Sequence, residues 1–292
     1  MVRKTLFSFL LLFLLFVAKG SASEPIGIAD ALALSEDDPV TAKIKSFIDE
    51  DTYNSNEDFI NVIFDPKSAY YVKDRVDVVK VIQTLKDNGL LKLFFKSPQE
   101  FHLTFKTNGA PIFFVRIMDD VLSSIGYFRY VTSGSHLNES EFSWTIDLTS
   151  EYMTDPLILQ KALQKSGCEI IDISRKDAKN WNYVIDMGKG ELHVPLLVAD
   201  KELQLRRSLY AHWFNVSQIR KLRIKSSRRN HWYPYISYYD SSLHLVKLLK
   251  LDKVHKNIYL EIPKNAKYMK ISDLYTLKNL RDGLVLSPLG SR

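Results

Sequence analysis

The stretches FHLTFKTNGAPIFFVRIMDDVLSSIG at residues 101–126 and FSWTIDLTSEYMTDPLILQKALQKSG at residues 142–167 decide the fold of this chain. They align without a gap at an offset of 41 residues. The matched positions are Phe101 with Phe142, Thr104 with Thr145, Phe105 with Ile146, Ile117 with Ile158, Leu122 with Leu163, and Gly126 with Gly167. The middle of the chain is therefore an internal repeat.

Each copy of the repeat predicts a strand, a helix and a second strand. An alternating apolar pattern indicates the first strand, a helical pattern follows, and a glycine ends the helix. The predicted ranges are 101–107, 111–125 and 127–132 in the first copy and 142–149, 155–166 and 169–174 in the second. Two such units in succession predict a ferredoxin-like βαββαβ domain at residues 98–189, in which both helices cover one face of a four-stranded sheet.

A small helical region is predicted upstream of the repeat, at residues 39–97. Its first helix, over residues 39–50, begins after Asp38, whose side chain can cap the free amides of the first turn. Its second helix covers residues 75–88 and ends at a glycine. The intervening residues 51–73 are rich in Asn, Asp and Tyr, but they lack the central glycine and closing glutamate of a calcium loop. We therefore expect polar turns there.

The first 23 residues contain, in the usual order, the three regions of a cleavable secretory signal peptide. Arg3 and Lys4 give a positive start, residues 6–18 are apolar, and residues 21–23 are small at the cleavage point. The apolar run has 13 residues, whereas a membrane-spanning helix needs about 20. Cleavage is preferred over the alternative, retention as a short anchor. The mature protein is expected in the periplasm, with a tether at residues 24–38.

The single cysteine, Cys168, indicates how the exported protein is stabilised. One cysteine excludes an internal disulfide framework and a lipid anchor near the cleavage point, so stability must come from packing, as is usual in bacterial periplasmic proteins. Cys168 leads into an apolar run, which favours a buried structural thiol over a reactive one. No later stretch is apolar and long enough to span a bilayer, so we expect no stable membrane insertion after signal cleavage.

The pattern changes beyond residue 188. Short runs rich in aromatic and β-branched residues are separated by turn-forming Asp, Asn, Ser, Pro and Gly, which predicts strands joined by turns. The runs are 191–197, 209–214, 219–225, 233–239, 243–249, 256–262, 266–271 and 283–286. Regular short strands without a helical pattern indicate an antiparallel β-sandwich or jelly roll at residues 190–292.

Charge divides the chain into two halves. Residues 200–292 carry a net charge of +12 and residues 24–199 a net charge of −9, although the whole chain has only +6. A strongly basic half indicates an anionic partner, such as a phosphate-bearing surface or an acidic protein. The alternative is that the two halves attract each other. Export argues against nucleic acid as a partner.

The chain lacks the fixed spacings that mark common catalytic and metal sites. It contains no His-Glu-x-x-His, no Gly-x-Ser-x-Gly, no Ser-x-x-Lys nucleophile pair and no phosphate-cradling loop, and its seven histidines are scattered. Asp119 and Asp120 lie in a predicted helix, where adjacent residues point about 100° apart, so a shared carboxylate pair is poorly supported. We predict no catalytic residue, no metal and no cofactor. A hydrolase with a site assembled through space is the weaker alternative.

The best candidate for a binding site is the segment RRNHWYPY at residues 228–235. Sugar rings pack their apolar faces on aromatic rings while their hydroxyls bond to polar side chains, so this mixture suits glycan recognition. Strand alternation puts Tyr233 and Tyr235 on one face and Ile236 and Tyr238 on the other, so one of these rows must be core. The expected ligand-binding residues are Arg229, His231, Trp232 and Tyr233, with Trp232 and Arg229 expected to contribute most.

The segment WYPYISYYDSSLHLVKLL at residues 232–249 is followed by IYLEIPKNAKYMKISDLY at residues 258–275. Together they resemble the jelly-roll modules of cell-surface and carbohydrate-active proteins, which implies a jelly roll and a carbohydrate-binding-like role. The whole chain resembles an uncharacterised periplasmic protein family of campylobacter-like bacteria. That resemblance rests on TLKDNGLLKLFFKSPQE at residues 84–100 and on the repeat, and it implies only the compartment.

Two functional hypotheses of different classes follow. The first is a non-catalytic envelope protein that binds cell-wall or surface glycan, or another envelope component, through the basic β-sandwich. The second is a protein–protein scaffold or assembly factor of a trans-envelope machine, in which the sheet of the ferredoxin-like domain adds to a partner by edge pairing.

Overall fold

The computed structural model of this chain describes residues 38–208 and 210–292. The predicted signal peptide at residues 1–23 and residues 24–37 of the predicted tether lie outside the described residues. The described chain is an α+β protein with one five-stranded sheet, two four-stranded sheets and a small two-stranded ribbon. The predicted fold class is confirmed. None of the helices within these ranges is long and apolar enough to cross a membrane.

The N-terminal region is helical. Its elements are α1 (Pro39–Lys45), α2 (Glu50–Ser55), α3 (Glu57–Ile63), a 3₁₀ turn (Lys67–Tyr70), the ribbon strands β1 (Tyr71–Val72) and β2 (Arg75–Val76), and α4 (Val78–Asp87). The expectation of polar turns over residues 51–73 is wrong for α2 and α3. Asp49 caps α2 by accepting a hydrogen bond from Thr52 N–H at 2.8 Å, and both helices bury an apolar side chain, Tyr53 and Ile60.

The repeat forms the five-stranded sheet and its two helices. The elements are β3 (Phe94–Thr107), α5 (Pro111–Ser124), β4 (Val131–Leu137), β5 (Phe142–Tyr152), α6 (Pro156–Lys165), β6 (Glu169–Arg175) and β7 (Asn180–Asp186). As far as β6 the elements follow the predicted βαββαβ order. The strand order in the sheet is β4-β5-β3-β7-β6, and β7 pairs parallel with β3. The extra strand β7 therefore separates β6 from the centre of the sheet.

The two copies of the repeat are neighbours in space. The first strands of the copies, β3 and β5, pair antiparallel, and the hydroxyls of the matched residues Thr104 and Thr145 lie 2.9 Å apart. The matched glycines Gly126 and Gly167 have φ values of +100° and +70°. Because the left-handed region favours glycine, these residues explain why both helices end where they do.

The C-terminal region is an eight-stranded β-sandwich. Its strands are β8 (Leu203–Leu205), β9 (His212–Asn215), β10 (Ile219–Ser226), β11 (Pro234–Tyr239), β12 (Leu245–Lys250), β13 (Asn257–Glu261), β14 (Tyr268–Asp273) and β15 (Leu284–Ser291), with a 3₁₀ turn at Leu277–Leu280. The sheets are β13-β10-β15-β8 and β12-β11-β14-β9, and both are antiparallel. Every connection except the β11–β12 hairpin crosses between the sheets, which is the strand order of a jelly roll. Residues 191–197, expected as a strand, contribute only an isolated bridge at Leu196.

The described residues form two hydrophobic cores. One joins the helical region to the helix-covered face of the five-stranded sheet, so α1 to α4 share that sheet's core, and the other lies between the two sandwich sheets. The halves meet at Tyr268, whose side chain is fully buried. Its hydroxyl accepts a hydrogen bond from Leu192 N–H at 3.1 Å, and its ring lies 6.5 Å from that of Phe113. The sandwich therefore packs against the α+β half through the outer face of one sheet.

Candidate functional site

The predicted site residues are divided between the surface and the core of the sandwich. Arg229 and His231 are exposed in the loop between β10 and β11, and Tyr233 is half-buried. Trp232 is 0% exposed, and its indole N–H donates to the carbonyl oxygen of Ser272 at 2.9 Å. The expectation that Trp232 leads an exposed aromatic surface is therefore wrong. A large ring with one polar atom is well suited to a core position where that atom finds a partner.

The burial of the side chains along β11 shows which row is core. Ile236 and Tyr238 point into the sandwich core, as the pattern allowed. Tyr235 lies on the outer face, where the ammonium of Lys250 is 5.5 Å from its ring centroid. The row of Tyr233 and Tyr235 is thus the one left partly accessible.

The sandwich has a loop end, defined here as residues 227–233, 251–256 and 274–283. Tyr275 presents a ring that is 63% exposed, and the ring of Tyr233 meets it edge-on at 4.9 Å and 87°. The Tyr275 hydroxyl donates a hydrogen bond to the Asp252 carboxylate, which raises the pKa of Tyr275. Sequence reasoning missed Tyr275 and Asp252, because only the fold brings these loops together. The amino-acid composition of each loop by itself did not indicate a binding site.

Two buried side chains hold the loop end in shape. Asn230 is almost fully buried, donates to Gly283 O at 2.7 Å and accepts from Asp282 N–H at 2.9 Å. Asp273 accepts from Tyr233 N–H at 2.8 Å. It also accepts from the backbone N–H groups of residues 275 and 276. Hydrogen bonds from these two side chains to backbone groups therefore fix the conformation of the loop end, including the loops that carry its exposed side chains.

A basic groove of about 800 Å³ lies at the opposite end of the sandwich. Its charged lining residues are Arg220, Lys221, Lys247, Lys264, Arg292 and Glu261. The guanidinium of Arg292 donates to the carbonyl oxygens of residues 262, 263 and 264 at 3.1, 2.6 and 2.9 Å. Lys221 lies 3.9 Å from the one carboxylate, that of Glu261. Five cations against one anion make this concave surface suited to an anionic ligand.

The α+β half contains a polar cluster on the uncovered face of its sheet. Asp147 on β5 accepts a hydrogen bond from Ser133 Oγ at 2.7 Å and lies 2.6 Å from His102 Nδ1. Burial opposes ionisation of Asp147, but these two contacts outweigh it and lower its pKa. The serine and the histidine both meet the carboxylate rather than each other, so this is not the arrangement of a nucleophile beside its base. The cluster ties β3, β4 and β5 together.

Cys168 is buried, as predicted for a structural thiol. Burial raises its pKa to about 11, and the nearby carboxylate of Asp186 acts in the same direction. The thiolate is therefore disfavoured. Across residues 38–208 and 210–292, no group of three or more His, Cys, Asp and Glu side chains could hold a metal ion.

An apolar cavity of about 520 Å³ opens where α4, α5, α6 and the start of β3 meet. Its lining includes the exposed side chains of Phe94, Tyr152 and Ile158. The lining also includes Thr154, whose buried hydroxyl has no hydrogen-bond partner. An unpaired buried hydroxyl costs stability, and the α+β half has another buried polar atom of this kind, the indole nitrogen of Trp181.

Comparison of the chain with protein-family models, with curated proteins and with solved structures found no match in any of the three.

Proposed function

We propose that this chain is a non-catalytic periplasmic envelope protein whose C-terminal β-sandwich binds an anionic glycan or another anionic component of the envelope. The observation that carries this proposal is the basic groove, which gathers five cations around one carboxylate in a concavity of about 800 Å³. The signal-peptide pattern at residues 1–23 supports export to the compartment where such components are found.

The distribution of ion pairs supports an external ligand. Within the described ranges, the ion pair that joins the two halves is Lys267 Nζ with Glu191 Oε1, at 2.6 Å. The groove cations Lys247 and Lys264 are exposed. Attraction between the halves thus leaves most of the +12 charge of residues 200–292 uncompensated. A concentrated positive field raises the local concentration of anionic ligands and speeds their association.

A binding assay with isolated cell-wall sacculi and with purified envelope polysaccharide tests the proposal. The double charge reversal Lys247→Glu and Lys264→Glu is expected to weaken binding roughly tenfold, since each reversed charge near a surface is worth about 0.7 kcal/mol. The matched control is Lys201→Glu with Lys225→Glu, which makes the same change of charge on exposed residues outside both the groove and the loop end. Binding should also fall as salt rises.

The same binding assay tests whether the loop end contacts the ligand. Tyr275→Ala removes the exposed ring at the loop end, and Tyr259→Ala removes a similarly exposed ring on the outer face of a sheet. A larger loss with Tyr275→Ala would assign sugar-ring contact to the loop end. The proposal fails if the wild-type protein binds sacculi and polysaccharide no better than the double charge reversal does.

A protein–protein role is the second candidate function. The observation that favours it is the free edge of the five-stranded sheet at β4, because an exposed strand edge can add a strand from another chain. Photocrosslinking in cells from residue 132 on β4 should then recover a protein. Recovery of no crosslinked protein would contradict this role.

A further inference from the structure

The apolar cavity where α4, α5, α6 and the start of β3 meet has no part in either function proposed above. Its volume of about 520 Å³ is within the range of small-molecule sites, which are mostly apolar and contain a few polar groups. Leu91 and Met153 form a buried part of its lining. The lining also includes Phe94, Tyr152 and Ile158, which are 57%, 64% and 53% exposed. Several large apolar side chains around one opening indicate a place where a ligand is bound.

Two hydroxyl groups of the lining lack a good partner in the protein. Thr154 is 1% exposed, and its hydroxyl has no hydrogen-bond partner. The hydroxyl of Tyr127 donates to the carbonyl oxygen of Tyr152 at 3.5 Å, which is long for a hydrogen bond. Burial raises the pKa of Tyr127, and the nearby side chain of Thr154 opposes this only in part. The Tyr127 hydroxyl therefore keeps its proton, and both hydroxyls can donate to an acceptor on a ligand.

The charges of the lining favour a negative ligand. Lys86 lies 2.7 Å from Asp155 in the lining and 4.0 Å from Asp87 outside it, so its charge is already compensated. Lys92 is exposed and lines the same cavity. In the part of the chain that the structure describes, Lys92 pairs with no carboxylate. Lys92 is thus the cation of the lining that is left for an anionic group.

We propose that the apolar cavity binds a small carboxylic acid with an apolar chain, of the size of a medium-chain fatty acid. The two oxygens of the carboxylate accept hydrogen bonds from the hydroxyls of Tyr127 and Thr154, and Lys92 supplies the opposite charge. The chain packs on the apolar lining, including Phe94 and Ile158, and removes these side chains from water. This site is separate from the basic groove, which lies on the sandwich.

Calorimetric titration of the purified protein with decanoate, below the concentration at which decanoate forms micelles, tests the site. One molecule should bind per chain. Decanol lacks the charge and should bind about tenfold more weakly, and decylamine, which has the opposite charge, should bind more weakly still. Decanoate should also slow hydrogen exchange in residues 89–94 and 152–155, which contain much of the lining.

Two substitutions in the lining test the location. Ile158→Glu places a charge beside the apolar chain and should weaken decanoate binding more than about tenfold. Its control is Ile112→Glu on α5, since Ile112 is 73% exposed and lies outside the cavity. Thr154→Val should weaken binding by about tenfold, because it removes a hydrogen bond to a charged group. Binding that weakens without any loss of protein stability separates contact with the ligand from damage to the fold.

The head group is tested at Lys92. Lys92→Glu should reverse the preference, so that decylamine binds more tightly than decanoate. Lys96→Glu, on an exposed residue of β3 outside the cavity, should leave the preference unchanged. The double charge reversal Lys247→Glu and Lys264→Glu should also leave decanoate binding unchanged, because it alters only the basic groove.

Equal binding of decanoate, decanol and decylamine would overturn the assignment of a carboxylic acid. Equal losses in Ile158→Glu and Ile112→Glu, or no binding of decanoate to the wild type, would overturn the site itself. Loss of decanoate binding in the double charge reversal would place the acid in the basic groove, which would overturn this inference while leaving the function proposed for the sandwich in place.

Discussion

In the α+β half, carboxylates lie against lysine and arginine side chains of the same half, whereas the sandwich leaves its groove cations largely without acidic neighbours. The pairs in the first half include Lys43 with Asp172 at 2.6 Å, Lys86 with Asp155 at 2.7 Å and Lys106 with Glu141 at 3.0 Å. Among residues 38–208 and 210–292, the ion pair of the groove is Lys221 with Glu261 at 3.9 Å. The first half thus pairs many of its charges internally, whereas the second leaves most of its groove cations without an acidic partner among the described residues.

The two halves also enclose their cores differently. The sandwich buries apolar side chains between two sheets, whereas the α+β half covers one face of a single sheet with helices and leaves a polar face with His102 and Asp147. A substitution in the core of one half is therefore expected to destabilise that half without removing a contact made by the core of the other. The junction at Tyr268 is the place where the two are joined.

The largest effect is expected from breaking the sandwich core. Trp232→Ala removes a fully buried ring and its hydrogen bond to Ser272 O. Such a change costs about 3–5 kcal/mol of unfolding free energy. Urea unfolding measured by circular dichroism gives the loss, and Tyr259→Ala on the surface should cost less than about 1 kcal/mol. Equal losses in the two variants would contradict the core position of Trp232.

A smaller effect is expected at the junction of the halves. Tyr268→Phe keeps the ring but removes the hydroxyl that accepts from Leu192 N–H. The buried donor is then unpaired, which should lower the unfolding free energy by about 1–3 kcal/mol. Tyr239→Phe, in the neighbouring strand of the same sheet, is the control and should be close to neutral. Hydrogen exchange should show the loss of protection around residue 192 first.

Local features of the fold could be predicted from the sequence, whereas features that depend on distant contacts could not. The helices of the repeat and three of its four strands were predicted near their observed places, because their periodicity is local and each helix stops at a glycine. The second strand of the first copy, expected at residues 127–132, instead lies at Val131–Leu137. The strand β7 was not predicted at all, although Trp181, Tyr183 and Ile185 alternate along it. Its place beside β3 could not be predicted either, because strand order depends on contacts between residues about 80 positions apart. Alternation along β11 predicted two faces but could not tell which one another sheet would cover.

The candidate site was predicted less well than the fold. Arg229, His231 and Tyr233 do lie together at one end of the sandwich, but Trp232 is core. In the sequence, the basic groove is indicated only by the surplus of positive charge in residues 200–292. Its lining comes from β10, β12, the end of β13 with residues 262–264 that follow it, and Arg292 after β15, so no single segment carries a signal for it.

A gain in stability is expected in the α+β half from Thr154→Val. The Thr154 hydroxyl is buried without a partner, so its replacement by a methyl group removes a cost. The unfolding free energy should rise by up to about 1 kcal/mol. The same substitution at Thr107, which is equally buried but accepts from Gly109 N–H at 3.1 Å, should lower it by about 1 kcal/mol. A fall in both variants would show that the Thr154 hydroxyl has a role that geometry does not reveal.

The smallest effect concerns pH and tests whether charges in the α+β half are used internally. At Asp38, burial opposes ionisation, but hydrogen bonds from Lys67 Nζ and from the hydroxyl and amide of Thr41 outweigh it and lower the pKa to about 2. Because the folded pKa is below the unfolded value, the stabilisation is complete above about pH 4 and is lost as the pH falls toward 2. The pair is partly exposed, so the loss should not exceed about 1 kcal/mol.

Asp38→Asn should remove that part of the pH dependence, and Lys67→Met should raise the pKa of Asp38 toward its ordinary value. Unfolding free energies of the two variants and the wild type, measured between pH 5 and about pH 2, give the comparison. Lys253→Met, which removes an exposed cation of the sandwich, should leave the slope unchanged. If Lys253→Met changes the pH dependence of the unfolding free energy as much as Lys67→Met does, internal charge pairing is not what distinguishes the α+β half from the sandwich.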